Sequence, residues 1–127
     1  MERWHLPSIE ATGRREPRVL FSRPGCRAVL IDLQAGDELG DHRTHEHAVL
    51  QIVSGKLELV VGERRVECEA GTIVTLAPGE TRSVQALEPS RTLLLLAPWP
   101  GEGHFRDGED ADPERMPAQA TVPPLQS

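Results

Sequence analysis

Three histidines lie within six residues near the middle of the chain, at His42, His45 and His47. Imidazole is the commonest protein ligand for transition metals, and closely spaced histidines on a strand can bind one ion together. The cluster predicts one of two arrangements. It is either a divalent transition-metal site (Zn, Fe, Ni or Mn) with two or three imidazole ligands, or a polar strand end whose histidines are solvated and bind no ion.

A second polar candidate is Arg82, which follows the Pro78-Gly79 turn. Its guanidinium is permanently charged and repels a divalent cation, whereas its planar fork suits a carboxylate or a phosphate. Arg82 therefore predicts a site for an anion if its side chain points into a pocket. The alternative is a surface arginine or an ion-pairing one, with Glu80 or Glu46 as its partner.

The composition limits both chemistry and partners. The 127 residues carry 14 Lys and Arg against 20 Asp and Glu, a formal net charge of -6, which argues against a nucleic-acid partner. Tyr and Asn are absent, which excludes a phenolic general acid and an oxyanion hole that uses Asn. The longest apolar stretch is Leu93–Ala97, far shorter than the roughly 20 residues that cross a bilayer. We expect a cytoplasmic protein with neither a membrane nor a nucleic-acid partner.

Short apolar runs separated by turn residues fill the middle of the chain. Val29, Ile31 and Leu33 recur with the period of two that is typical of a strand, and no window of ten or more residues shows a sustained helical pattern. Eight such runs, at roughly ten-residue spacing, predict an all-β sandwich or barrel. The runs are Val19–Phe21, Ala28–Leu33, Ala48–Val53, Leu57–Val61, Val66–Ala70, Ile73–Leu76, Val84–Leu87 and Leu93–Ala97.

Charge and proline divide the chain into three parts. We expect an irregular N-terminal arm over residues 1–17, a barrel over residues 18–98, and a tail over residues 99–127. The tail is rich in proline and acidic residues, which predicts that it is partly disordered or draped over the barrel. Apolar residues in the arm, such as Trp4, predict that it crosses to a second subunit and covers an edge strand, which would make the protein a homodimer.

The glycines around the polar candidates carry a family resemblance. Gly36 and Gly55 bound the histidine segment, and Gly71 and Gly79 bound the next turn-rich segment, all within eight short strands. This spacing resembles the cupin superfamily over roughly residues 19–98. The resemblance implies a double-stranded β-helix, or jelly-roll, barrel with a pocket at one end.

The resemblance also assigns the family's four metal-ligand positions to residues of this chain. The two positions of the His-x-His pair fall on His42 and Thr44, and the glutamate position falls on Ala48. The last histidine position holds Arg82. One of the four expected ligands is therefore present in this register.

A second register, displaced by three residues, aligns His45, His47 and Gln51 with the pattern His-x-His-x-x-x-Glu. It leaves three residues before the closing glycine where the family has six. Strand alternation also opposes it. If the even-numbered residues of His42–Ile52 face inward, the three displaced residues face outward, unless a bulge near Thr44 inverts the pattern.

Two functions follow. The first is a domain that binds a small polar or anionic molecule in the barrel. Its ligand-binding candidates are His42, Arg82, Thr44 and Gln51. The alternative is a metal-dependent cupin enzyme of the oxygenase or isomerase type, in which an ion leaves positions open for substrate. Its candidate ligands are His42, His45 and His47.

Overall fold

The computed structural model describes residues 1–11, 17–100 and 120–126, and its regular structure is almost entirely strand. One 3-10 turn, Leu6–Ser8, precedes ten strands. The strands are β1 (Arg18–Arg23), β2 (Cys26–Leu33), β3 (Glu38–His42), β4 (His47–Ser54), β5 (Lys56–Val61), β6 (Arg64–Glu69), β7 (Ile73–Leu76), β8 (Arg82–Ala86), β9 (Ser90–Ala97) and β10 (Ala120–Thr121). The predicted all-β class is therefore confirmed.

The strands form two sheets that enclose one core. The first sheet has the order β10-β1-β2-β9-β4-β7 and the second the order β3-β8-β5-β6. Neighbouring strands are antiparallel, apart from the parallel pair β1 and β10. In the described part of the chain, no helix has the length and apolar character needed to span a bilayer.

The core between the sheets is aliphatic, and the period-two pattern predicts which residues build it. Val29, Ile31 and Leu33 on β2 all belong to this inner cluster, where they pack with residues of the second sheet such as Leu57. Burial of each large aliphatic side chain contributes about 2 kcal/mol to stability. The alternation therefore fixes which face of β2 turns toward the second sheet.

A second apolar cluster lies on the outer face of the six-stranded sheet. It includes Leu30 and Leu93, and Trp4 and Ile9 of the N-terminal arm pack against it. Leu94, next to Leu93 on β9, belongs instead to the inner cluster. Both faces of β9 are thus covered, which explains why its leucine run does not alternate with polar residues.

A buried ion triad fixes the arm to this outer face. Asp32 accepts hydrogen bonds from Arg18 Nη2 at 2.6 Å and from Arg91 Nε at 2.7 Å. The same two guanidinium groups donate to main-chain carbonyls of the arm, at Glu10 and Leu6. Within one chain the arm packs on its own sheet, and its crossing to a second subunit stays a prediction. The homodimer itself stays a prediction.

The C-terminal residues 120–126 extend the same sheet. Ala120 pairs with Arg18 across β10 and β1, and Val122 N donates to the Val19 carbonyl at 3.0 Å. The Val122 carbonyl accepts a hydrogen bond of 2.9 Å from Trp4 Nε1, so both ends of the described chain meet at this edge. The remainder of the predicted tail, residues 101–119 and residue 127, lies outside the described residues.

Candidate functional site

The histidine segment connects the two sheets. Strand β3 ends at His42 in the four-stranded sheet, and β4 begins at His47 in the six-stranded sheet. Between them Thr44, His45 and Glu46 are buried one after another. Side chains of a strand point alternately to opposite faces, so three consecutive buried residues mean that the alternation stops at this connection.

The prediction that His45 faces outward is therefore wrong. It treated residues 42–55 as one strand, whereas the chain changes sheets in the middle of that segment. His45 is only 8% exposed and lies beside Glu46, which has no exposed surface. A buried carboxylate is uncommon because its desolvation is costly, and sequence reasoning named Glu46 as an ion-pair partner for Arg82 without predicting its burial.

On β4 itself the predicted alternation is confirmed. The buried even-numbered positions are Ala48, Leu50 and Ile52. His47 and Gln51 are exposed on the other face. The structure therefore does not bring His47 and Gln51 together with the buried His45, as the displaced register required.

Arg82 enters the barrel from the second sheet. On β8 the residues Arg82, Val84 and Ala86 are buried in alternation, and the last two belong to the inner core. Arg82 is 3% exposed, which excludes the surface arginine that the sequence left open. Its Nη1 atom lies 3.5 Å from Thr44 Oγ1, a long hydrogen bond between two buried side chains.

Thr44 is held in place by two further hydrogen bonds. Its hydroxyl donates to the Glu46 carbonyl at 3.1 Å, and its own carbonyl accepts from Gly79 N at 2.9 Å. The second bond joins the connection between the sheets to the turn that precedes Arg82. We call Thr44, Glu46 and Arg82 the Arg82 cluster. Through Thr44 it connects two buried residues of opposite charge, Arg82 and Glu46.

The described residues do not fit a metal centre. Within the described part of the chain, no three side chains among His, Cys, Asp and Glu are arranged to hold an ion. Arg82 stands at the position of the family's last histidine, and its buried positive charge repels a divalent cation. The side chain of His42 lies outside the described part, so the ligand set that includes it stays a prediction.

A cavity of about 340 Å³ lies between β5, β6 and β7. Because β6 and β7 are edge strands of different sheets, the cavity opens where the two sheets part. Val66 and Ile73, which are 41% and 64% exposed, stand at this opening. The other apolar side chains of its wall are Leu59, Val61, Cys68, Val74 and Leu76. Its polar lining residues are Arg64, Thr75 and Glu80.

The Arg82 cluster adjoins this cavity without lining it. Val61 lines the cavity and pairs directly with Arg82 across β5 and β8, so both side chains leave the sheet on the same face. Gln51, by contrast, lies on the face of β4 turned away from the core. Of the sequence-predicted polar residues, Arg82 and Thr44 are thus placed inside the barrel near the cavity, and Gln51 is not.

Cys68 supplies a thiol to the cavity wall. Its side chain belongs to the inner core, and burial raises the pKa of the thiol. Cys68 is therefore a neutral, weakly polar wall group at physiological pH. Neither Cys26 nor Cys68 forms a disulfide.

Sequence reasoning missed the charged residues of the cavity, Arg64 and Glu80. One signal was present for Arg64. Val66 and Cys68 alternate with outward-facing acidic residues, and Arg64 lies two residues before Val66, so it shares their face. Glu80 follows a Pro-Gly turn, and its position at the cavity depends on how that turn folds back between the sheets.

The family model of the AraC-like ligand binding domain matches residues 29–96 of the chain. This segment runs from the second strand to the ninth and contains both the Arg82 cluster and the cavity. No curated protein sequence matches the chain.

Several solved structures are similar to this fold. An RmlC-like cupin protein from Desulfovibrio desulfuricans has a TM-score of 0.69 at 17% identity, over 77% of this chain and 97% of that one. An uncharacterized conserved protein with a double-stranded beta-helix domain from Klebsiella pneumoniae has a TM-score of 0.68 at 19% identity, over 78% and 91%. The cupin domain of Schizosaccharomyces pombe Cnp3 has a TM-score of 0.66 at 21% identity, over 75% and 72%. At these identities the likeness confirms the predicted double-stranded β-helix and nothing finer.

Proposed function

The chain belongs to the family of AraC-like ligand-binding domains, and on that premise we propose that it binds a small molecule in the cavity between its two sheets. The observation that carries the proposal is the cavity itself. Its volume of about 340 Å³ falls within the range of small-molecule sites, roughly 300–1,000 Å³. Such sites combine apolar walls with a few convergent polar groups, which is the composition found here.

The walls and the neighbouring charges define what kind of molecule fits. An apolar body packs against inward-facing side chains such as Leu59 and Leu76, which exclude water from it. A polar or anionic end is favoured by Arg64 at the cavity and by the buried Arg82 on the adjoining inner face. Thr44 adds a hydroxyl beside Arg82. Gln51 has no part in this proposal because it faces outward.

A thermal-shift panel with a matched pair of variants tests the proposal. The probes are 4-methylpentanoate, succinate and glucose 6-phosphate, each added at concentrations of up to about 10 mM. Val66→Phe fills the mouth of the cavity at a partly exposed position, so the variant is expected to fold. Glu67→Phe adds the same ring to the opposite face of β6 and is the control.

We expect at least one probe to raise the melting temperature of the wild type and of Glu67→Phe, but not that of Val66→Phe. A probe at 100 times its Kd stabilises the fold by about 2.7 kcal/mol, a shift of several degrees. The proposal fails if no probe shifts the wild type, or if Val66→Phe responds as strongly. Val74→Phe, which fills the cavity from β7, repeats the test from the opposite wall.

One observation favours the metal-dependent alternative. His45 and Glu46, three and four residues after the family's first histidine position at His42, are both buried and are both capable of binding metal. Arg82 opposes it, for the reason given above. The count of metal ions retained per chain separates the two functions.

A further inference from the structure

We infer that the cavity binds a zwitterion with a branched apolar body, which is the chemistry of an aliphatic α-amino acid. This inference rests on the proposed function and names the class of molecule that the cavity takes. It is carried by two side chains of opposite charge that line the same apolar cavity, Arg64 and Glu80.

Arg64 supplies the positive charge. It is the first residue of β6 and shares a face with Val66 and Cys68, the two wall residues that follow it on the strand. Its neighbour Arg65 points to the opposite face and pairs with Glu58 at 3.2 Å. Among the described residues, no carboxylate forms an ion pair with the Arg64 guanidinium. Its planar fork is therefore available to a carboxylate that enters the cavity.

Glu80 supplies the negative charge from the other side of the opening. Its Oε1 atom accepts a hydrogen bond of 3.1 Å from Ala77 N, which fixes the side chain against the turn after β7. The second carboxylate oxygen can accept from a cationic group in the cavity, because an ionised carboxylate has about four acceptor positions. Ammonium is the compact donor that suits such an acceptor.

The apolar wall of the cavity favours a ligand with an aliphatic body. Leu59 and Leu76 form its buried part, and an aliphatic group placed there loses its contact with water. Arg64 and Glu80 are both exposed at the opening, and a molecule with only one charge forms an ion pair with one of them but not with both. A sugar or a dicarboxylate has no apolar body for the wall. A branched aliphatic molecule that carries both a carboxylate and an ammonium matches all three features of the cavity: the Arg64 guanidinium, the Glu80 carboxylate and the apolar wall.

Calorimetric titration with four related probes tests this. L-leucine carries both charges, 4-methylpentanoate lacks the ammonium, 3-methylbutylamine lacks the carboxylate, and glycine lacks the apolar body. We expect leucine to bind the wild type at least tenfold more tightly than either singly charged probe, and glycine to give no measurable heat.

Two charge-removing variants assign the contacts. Arg64→Gln is expected to weaken leucine and 4-methylpentanoate at least tenfold and to leave 3-methylbutylamine unchanged. Glu80→Gln keeps an acceptor for Ala77 N and is expected to weaken leucine and the amine alone. The matched controls are Arg65→Gln and Glu67→Gln, which remove the same charges from the opposite face of β6 and should leave all four affinities unchanged.

The inference is overturned if 4-methylpentanoate binds as tightly as leucine, if leucine does not bind, or if its affinity is the same in Arg64→Gln as in the wild type. These outcomes do not decide the proposed function. That function is decided separately, by whether the Val66→Phe variant abolishes the thermal shifts of the first panel.

Discussion

Arg82 Nη1 and Thr44 Oγ1 lie 3.5 Å apart in the interior of the barrel, although the two residues are 38 positions apart in the chain. Arg82 begins a strand of the four-stranded sheet, and Thr44 belongs to the connection that leaves that sheet. Both side chains are buried. Their contact holds a permanent positive charge at the point where the chain crosses between the sheets, which is where the family resemblance placed a metal ligand.

Replacing Arg82 with alanine should destabilise the fold. The variant leaves a void and removes the hydrogen bond to the buried Thr44 hydroxyl, so we expect the free energy of unfolding to fall by about 3 kcal/mol. Arg65→Ala, at an exposed position, should change it by less than about 0.5 kcal/mol. Chemical denaturation of both variants measures the difference. Equal stability of the two would show that the Arg82 cluster contributes nothing.

Gly55 and Gly62 provide a second matched comparison. Both have positive φ, +84° and +60°, so alanine at either costs about 1 kcal/mol in backbone strain. A Cβ atom on Gly55 would lie 2.2 Å from the Pro89 carbonyl oxygen, whereas one on Gly62 meets nothing within 4 Å. We expect Gly55→Ala to lose about 2 kcal/mol more than Gly62→Ala in denaturant titrations. A difference near zero would mean that the loop before β9 moves aside without cost.

Much of the fold could be predicted from the sequence because hydrophobic alternation reports directly on which face of a strand is buried. Ile31, Leu50 and Gln51 all lie on the faces that it predicts. The same rule failed at His45, because alternation holds within a strand and the chain leaves one sheet for the other between residues 42 and 47. The crossing point carries polar residues and no turn glycine, so nothing in the local pattern marks it.

The candidate site was harder to predict for a related reason. Cavity residues come from three strands and one turn, and their proximity depends on how the edges of two sheets face each other. Arg64 shares the alternation of β6, so its inward face was predictable. Glu80 has no periodic neighbours, and only the folded turn places it at the cavity.

Asp32 is expected to hold the N-terminal arm on the outer face of the sheet. Asp32→Asn removes the charge that Arg18 and Arg91 share, and breaking a buried ion pair costs about 3 kcal/mol or more. The amides of Leu6 and Ser8 should then exchange with deuterium faster. Glu2→Gln breaks an exposed pair with Arg23 and serves as the control, with an expected change below about 1 kcal/mol. Unaltered exchange in Asp32→Asn would show that the apolar contacts of the arm are sufficient to hold it on the sheet without the ion triad.

Metal analysis separates the two functions. We expect untagged protein, incubated with Fe, Mn, Ni or Zn and then desalted, to retain far less than one ion per chain, because Arg82 repels a dication from the barrel. Elemental analysis by mass spectrometry provides the count. Retention of one ion per chain that is lost in His45→Ala, but kept in His47→Ala, would instead support the metal-dependent enzyme.

Occupancy of the cavity can be measured at its own wall through Cys68. In a Cys26→Ser background, Cys68 is the only thiol, and methyl methanethiolsulfonate reaches it through the cavity. The thiolate is the reactive form, and burial raises the pKa of this thiol, so its modification rate should keep rising with pH beyond the range of an ordinary cysteine.

The most direct test is therefore the rate of Cys68 modification at fixed alkaline pH, with and without saturating leucine or 4-methylpentanoate, whichever binds more tightly. Binding between the sheets predicts a rate at least tenfold lower in the presence of the bound molecule, and an unchanged rate in denatured protein. A bound molecule that leaves the rate for Cys68 in the folded protein unchanged lies elsewhere, and that result would contradict a binding site between the sheets.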